Sequence, residues 1–167
     1  MFKQIVKTIL LVLMFAGFCT TSFTQTLAID DLRKVNKMNI DDTETYLLSR
    51  KFVLTETGSD KLKTTIAYEC ETSNVSVSLN KYKKFGFVDL EYTTLERREY
   101  LRAKDYVKIK KFKVEGTKVG KGKVSSISSM YRMGDCFIIL TSNKALSEDG
   151  VTKLNWYDIE ISDVAKN

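Results

Sequence analysis

Two short motifs place pairs of carboxylates on one face of a strand: Asp89-x-Glu91 and Asp158-x-Glu160. Residues i and i+2 of a strand point the same way. Two acids held side by side are what a glycoside hydrolase uses, one as acid and one as base or nucleophile. The same spacing also suits the solvent side of two edge-like strands, and its occurrence twice favours that reading. Two further acidic pairs, Asp30-Asp31 and Asp41-Asp42, fall at expected helix starts, where negative charge meets the positive end of the helix dipole. They lack the ligand spacing of a calcium loop.

The chain of 167 residues contains no histidine and no proline. Without histidine there is no Ser-His-Asp or Cys-His dyad, and the commonest zinc ligand is missing. Without proline, glycine, Asn and Asp must make the turns. Nothing in the sequence names a cofactor or a metal, and none is expected. Cys70 and Cys136 are not spaced as Cys-x-x-Cys, which disfavours thiol–disulfide chemistry. In an oxidising compartment they could form one disulfide, worth roughly 4 kcal/mol by loop closure. The alternative is two buried free thiols.

Charge is unevenly spread. Arg97 to Lys123 holds eleven basic and three acidic residues, whereas the remainder from Gln25 holds fourteen basic and eighteen acidic. Lys108, Lys110, Lys111, Lys113, Lys118, Lys121 and Lys123 form the centre of this stretch. Such a run can bind anionic lipid or polysaccharide, or it can be a solvated helix end and loop. Gly116, Gly120 and Gly122 lie among these lysines, but Gly122-Lys123 leads into strand-like sequence, not the helix a phosphate loop opens. A flexible hairpin fits better.

These residues must be held by some framework, and the chain shows self-similarity. Tyr46, Arg50, Lys51 and Phe52 match Tyr106, Lys110, Lys111 and Phe112 at a shift of 60. The segments Ile66 to Leu79 and Ile127 to Leu140 each read as two strands around a turn-rich centre. Val88-Asp89-Leu90-Glu91-Tyr92 matches Tyr157-Asp158-Ile159-Glu160-Ile161. Residues 25–93 and 94–167 therefore read as two copies sharing one core. Each would be a helical segment followed by a four-stranded antiparallel meander, with the helices on one face of the sheet. The fold class expected is α+β. Helical spacing links Ile29, Leu32 and Val35, and then Thr43, Tyr46, Leu47 and Arg50, with Asn39 or Asp41 as cap. Thr94 caps a helix expected from Leu95 to about Lys110. Leu62, Ile66, Tyr68 and Cys70 are expected to point one way and Lys61, Lys63 and Glu69 the other, as in a half-buried strand. Phe85, Phe87, Tyr92, Trp156 and Tyr157 give the closing strands aromatic weight, either as core or as interface anchors.

Residues 1–24 read as a signal peptide of bacterial type. Lys3 and Lys7 precede the apolar run Ile9 to Phe18, and small polar residues follow. The run is short for a membrane span. Cys19 follows Phe18, which is too large for lipoprotein processing, so lipidation is not expected. The expected product is periplasmic or extracellular, with no integral span after cleavage and no nucleic-acid partner.

In element order the chain resembles the β-lactamase-inhibitor protein family, which carries tandem units of helix and four-stranded meander. That resemblance implies protein binding through an exposed sheet face, and it transfers no residues. The leading functional expectation is an exported, non-catalytic binding module with a protein partner. The alternatives are an envelope-associated protein holding an anionic surface with its basic stretch, and a hydrolase using the paired carboxylates.

Overall fold

The computed structural model describes residues 26–82 and 88–163. The expected signal peptide, Cys19, Phe85 and Phe87 lie outside the described residues. Two short helices come first, α1 (Ile29–Lys37) and α2 (Ile40–Ser49). Four strands follow: β1 (Phe52–Ser59), β2 (Lys63–Cys70), β3 (Val75–Tyr82) and β4 (Val88–Thr94). Then come α3 (Arg97–Ile109), β5 (Lys113–Gly120), β6 (Val124–Met133), β7 (Cys136–Leu146) and β8 (Lys153–Asp163).

The expectation of two helix-plus-meander units does not describe this fold. All eight strands join one antiparallel sheet in the order β1-β2-β3-β4-β8-β7-β6-β5. Strand makes up 53% of the described residues and helix 24%. The physical reason lies at the centre. β4 pairs directly with β8, setting Leu90 against Ile161 and Tyr92 against Ile159, so no four-stranded unit ends there. The helices are too short to form a second layer of equal weight. The fold is sheet-dominated, while its antiparallel pairing and its mixture of helix and strand are as the alternation and helical spacing imply.

Alternation divides the sheet into two faces. The inner face carries Tyr68, Val77, Tyr92, Ile159 and Leu140 in one cross-strand row. Leu90, Ile161 and Ile138 fill the next row. These residues are buried with Leu32, Val35, Leu47, Ala103 and Val107 of the helices in a single core cluster. Tyr157 reaches this face too and stacks on Tyr100 with ring centroids 4.9 Å apart.

Local chemistry explains the helix ends. Asn39 caps α2, its side-chain oxygen accepting from the Asp42 N–H at 2.8 Å. The helix at Arg97 starts two residues later than expected, because Thr94 remains in β4 and its hydroxyl accepts from the Glu96 N–H at 3.0 Å. Lys51 and Lys111, just past the ends of α2 and α3, adopt left-handed backbone with φ of 61° and 58°. That conformation turns the chain from helix into strand and delivers Phe52 and Phe112 to the core.

Asp30 and Asp31, in the first turn of α1, do more than offset the dipole. Asp31 accepts from the Tyr46 hydroxyl and Asp30 from the Tyr106 hydroxyl, each at 2.6 Å. Arg33 also donates to the Tyr106 oxygen at 3.1 Å. Neighbouring acids on α1 thus tie down both α2 and α3. Burial, and then the bond to Asp31, push the Tyr46 hydroxyl up to about 12. It stays a donor across the physiological range.

The edge strands β1 and β5 each carry a bulge, between Leu54 and Glu56 and between Val114 and Gly116. No helix among the described residues is long and apolar enough to cross a membrane.

Candidate functional site: the open face of the sheet

Among the described residues no helix covers the outer face, and the carboxylate pairs meet on it. β4 and β8 are the central strands of the sheet, so the expectation that these acids mark edge-like strands is corrected. Their register puts Glu91 directly opposite Glu160, Thr93 opposite Asp158, and Asp89 opposite Ser162. Sequence spacing joins the acids two by two, and strand pairing joins all four.

Like charges directly opposite each other repel, and the neighbours only partly relieve this. Asp158 accepts from Thr93 at 2.8 Å and from Asn143 at 2.6 Å. Burial pushes Glu91 above the ordinary glutamate range; the Asp158 charge raises it further and Lys63 opposes. Burial also raises Glu160, reinforced by the charges of Glu91, Asp158 and Asp89. Asp89 rises through burial as well, opposed by hydrogen bonds from Tyr82 and Ser162. All four residues are half-buried, and no salt bridge reaches any of them among the described residues.

Apolar side chains adjoin the acids on β6 and β7. Ile139 lies opposite Glu160 on one side and Met130 on the other. Phe137 lies two residues along, and the Arg132 guanidinium sits 5.0 Å from its ring centre. Ile139, Met130, Ser128, Lys118, Gly116 and Glu160 line a shallow hollow of about 370 Å³. Glu160 is the only one of the four acids on its wall. The pairs are therefore not arranged across a cavity that would hold a sugar between acid and base. Among the described residues no cluster of three or more His, Cys, Asp or Glu could hold a metal ion.

The basic stretch does not gather into one patch. Lys108, Lys110, Lys111 and Lys113 lie at the lower end of the sheet, where α3 turns into β5. Lys121 and Lys123 lie in the β5–β6 turn at the upper end. β5 holds them apart: eight residues span about 25 Å. Lys118 stands between the two groups on the open face, opposite Ser128. The upper group gains Lys144 and Lys153, which with Lys123 line a hollow of about 430 Å³. No local run of sequence signals those two lysines. β6–β7 and β7–β8 pairing brings them in.

Cys70 and Cys136 are both free and buried. They lie on β2 and β7, four strand spacings apart, or about 19 Å. Of the two alternatives the free thiols are the ones observed, since a disulfide cannot span that distance. Burial pushes the Cys70 thiol up, but hydrogen bonds from Ser73 and Thr72 outweigh it and hold the thiol low. Burial and nearby Asp163 raise Cys136.

Of the aromatic candidates, Tyr92 and Tyr157 belong to the inner face, whereas Trp156 is half-buried on the open face opposite Asn143. A separate apolar cavity of about 280 Å³ lies beneath the α1–α2 junction, with Met38, Ile40, Ile66, Leu79 and Val88 on its walls. It sits on the helix side, away from the acids. Comparison with protein-family models, with curated proteins and with solved structures finds no match to this chain.

Proposed function

We propose that the protein is an exported, non-catalytic binding module that grips a cationic protein surface with the open face of its sheet. One observation carries this reading: four half-buried acids at the seam of β4 and β8 lie beside an apolar strip of Met130, Phe137 and Ile139. An uncovered apolar strip beside acids whose repulsion is only partly relieved is the makeup of an interface with an oppositely charged partner. Lysine or arginine from the partner would relieve the repulsion between Glu91 and Glu160, and the apolar strip would supply burial.

The test is site-specific photo-crosslinking in the producing cell. A crosslinking residue at Ile139 on the open face should trap a discrete basic protein. The same residue at Thr45, exposed on α2, should not. Adding Glu91→Gln and Glu160→Gln should reduce the Ile139 adduct by about tenfold, as loss of two charge-assisted contacts would. Equal capture from both positions, or an Ile139 adduct indifferent to the two substitutions, would defeat the proposal.

A further inference from the structure

We infer that the upper end of the β5–β8 half docks on an anionic phospholipid bilayer. Two connections lie side by side there, because Val124 of β6 pairs with Ala145 of β7 and Leu146 pairs with Lys153. They are the β5–β6 turn and the β7–β8 loop. Large aliphatic side chains are exposed at and beside both: Val119 near the end of β5 is 60% exposed, Leu146 at the end of β7 58%, and Val151 in the β7–β8 loop 80%. Val124 and Leu154 are exposed beside them.

Lys121, Lys123, Lys144 and Lys153 surround these aliphatic groups and are all exposed. Among the described residues the salt bridges engage Lys37, Arg50 and Arg102 and none of these four. The acids facing this end are Glu148 and Asp149. Asp149 is turned into its own loop, accepting from the Ser147 hydroxyl and from the Val151 N–H. Four lysines against two acids leave the end positive.

The composition selects a bilayer over a protein. Hot spots at protein interfaces are built on Trp, Tyr and Arg, and lysine is depleted from their cores. This end offers valine, leucine and lysine on strand ends and the turns that join them. Aliphatic tips enter the boundary between headgroups and acyl chains while lysines meet the phosphates. The site uses neither the central acids nor the lower lysines, so it stands independently of the open-face reading.

Trp156 is the only tryptophan in the chain and lies two residues from Leu154, so it reports on this end without a label. The protein, purified from its cells in its natural processed form, is mixed with two kinds of vesicle. One is phosphatidylcholine alone; the other adds phosphatidylglycerol. Brominated acyl chains in the second kind should quench Trp156 at low salt, and high salt should abolish the quenching. Phosphatidylcholine alone should leave the emission unchanged. Replacing Lys123, Lys144 and Lys153 with Gln should weaken partitioning on the order of a hundredfold, at roughly fivefold per lysine. Replacing Lys108, Lys110 and Lys111 with Gln should change it less than about twofold, since they lie beyond a Debye length from the docked end. Circular dichroism of both variants checks that they fold. The inference is overturned by absence of binding to the anionic vesicles, by equal losses in the two variants, or by binding that leaves Trp156 emission untouched. Capture by polyglutamate without vesicle binding would overturn it in favour of an acidic protein.

Discussion

The two outer strand pairs of the sheet are built alike and covered differently. α2 packs on β1, and Leu47 of that helix, Phe52 of β1 and Tyr68 of β2 are almost fully buried at the contact. Over β5 and β6 no helix among the described residues is comparably placed: α3 packs on β8, β7 and β4. On that outer pair Val119 and Ile127, directly paired on the inner face, remain 60% and 53% exposed, and Val114 64%. The difference shows where the burial of a sheet-dominated fold comes from. Strand alternation creates an apolar face, and only a helix laid across it turns that face into core.

The sharpest way to break this contrast is by truncation. Leu47→Ala, on the helix that covers the first pair, should cost about 3 kcal/mol through lost burial and the cavity left behind. Ile127→Ala, on the bare pair, should cost no more than about 0.5 kcal/mol. Urea unfolding of the two variants measures both, and similar losses would erase the distinction between the pairs.

A smaller effect asks whether the entries to the two pairs are equivalent. Lys51 enters β1 and Lys111 enters β5, both with left-handed backbone that glycine adopts without penalty. Lys51→Gly and Lys111→Gly should each stabilise the fold by about 1 kcal/mol. A gain at one position alone would show that only that turn persists in solution.

The smallest effect lies on the seam between the halves. Glu91 and Glu160 have raised affinities for protons, so the folded chain holds protons that the unfolded chain releases at the same pH. Their favourable contribution is complete below the ordinary glutamate range and is lost as pH rises through the raised values. Melting temperature should therefore increase as pH falls from about 7 toward about 5. Glu160→Gln should flatten this slope and stabilise the protein at neutral pH by up to about 1 kcal/mol. A Glu160→Gln variant with an unchanged slope would remove the seam as its source.

How much of this was readable in the sequence depends on the range of the interaction. Ile66, Tyr68 and Cys70 were legible as one face because period-2 alternation is local, whereas Leu62, read onto the same face, lies in the β1–β2 turn and is 71% exposed. Asn39 was legible as a cap for the same reason. The union of the two acidic pairs was not, since it depends on β4 finding β8 across some 70 residues of chain, and no local pattern encodes that choice. The lysine run misled in the opposite direction. Neighbours in sequence were separated by the length of β5, while Lys144 and Lys153, set among acids in the sequence, were carried to Lys123 by the ladder. Asp30 and Asp31 looked like helix-dipole partners, and nothing nearby announces two tyrosine hydroxyls arriving from elsewhere in the chain.

The kinks in the two outermost strands have a consequence for crowding. Fibrous growth needs a straight margin whose N–H and C=O groups another chain can zip onto. Here each margin is interrupted after its first few residues, at Leu54/Glu56 and at Val114/Gly116, and Lys113 and Lys118 add charge to the second. A margin broken in this way offers a neighbouring copy only a short run of backbone to pair with, which disfavours the growth of ribbons.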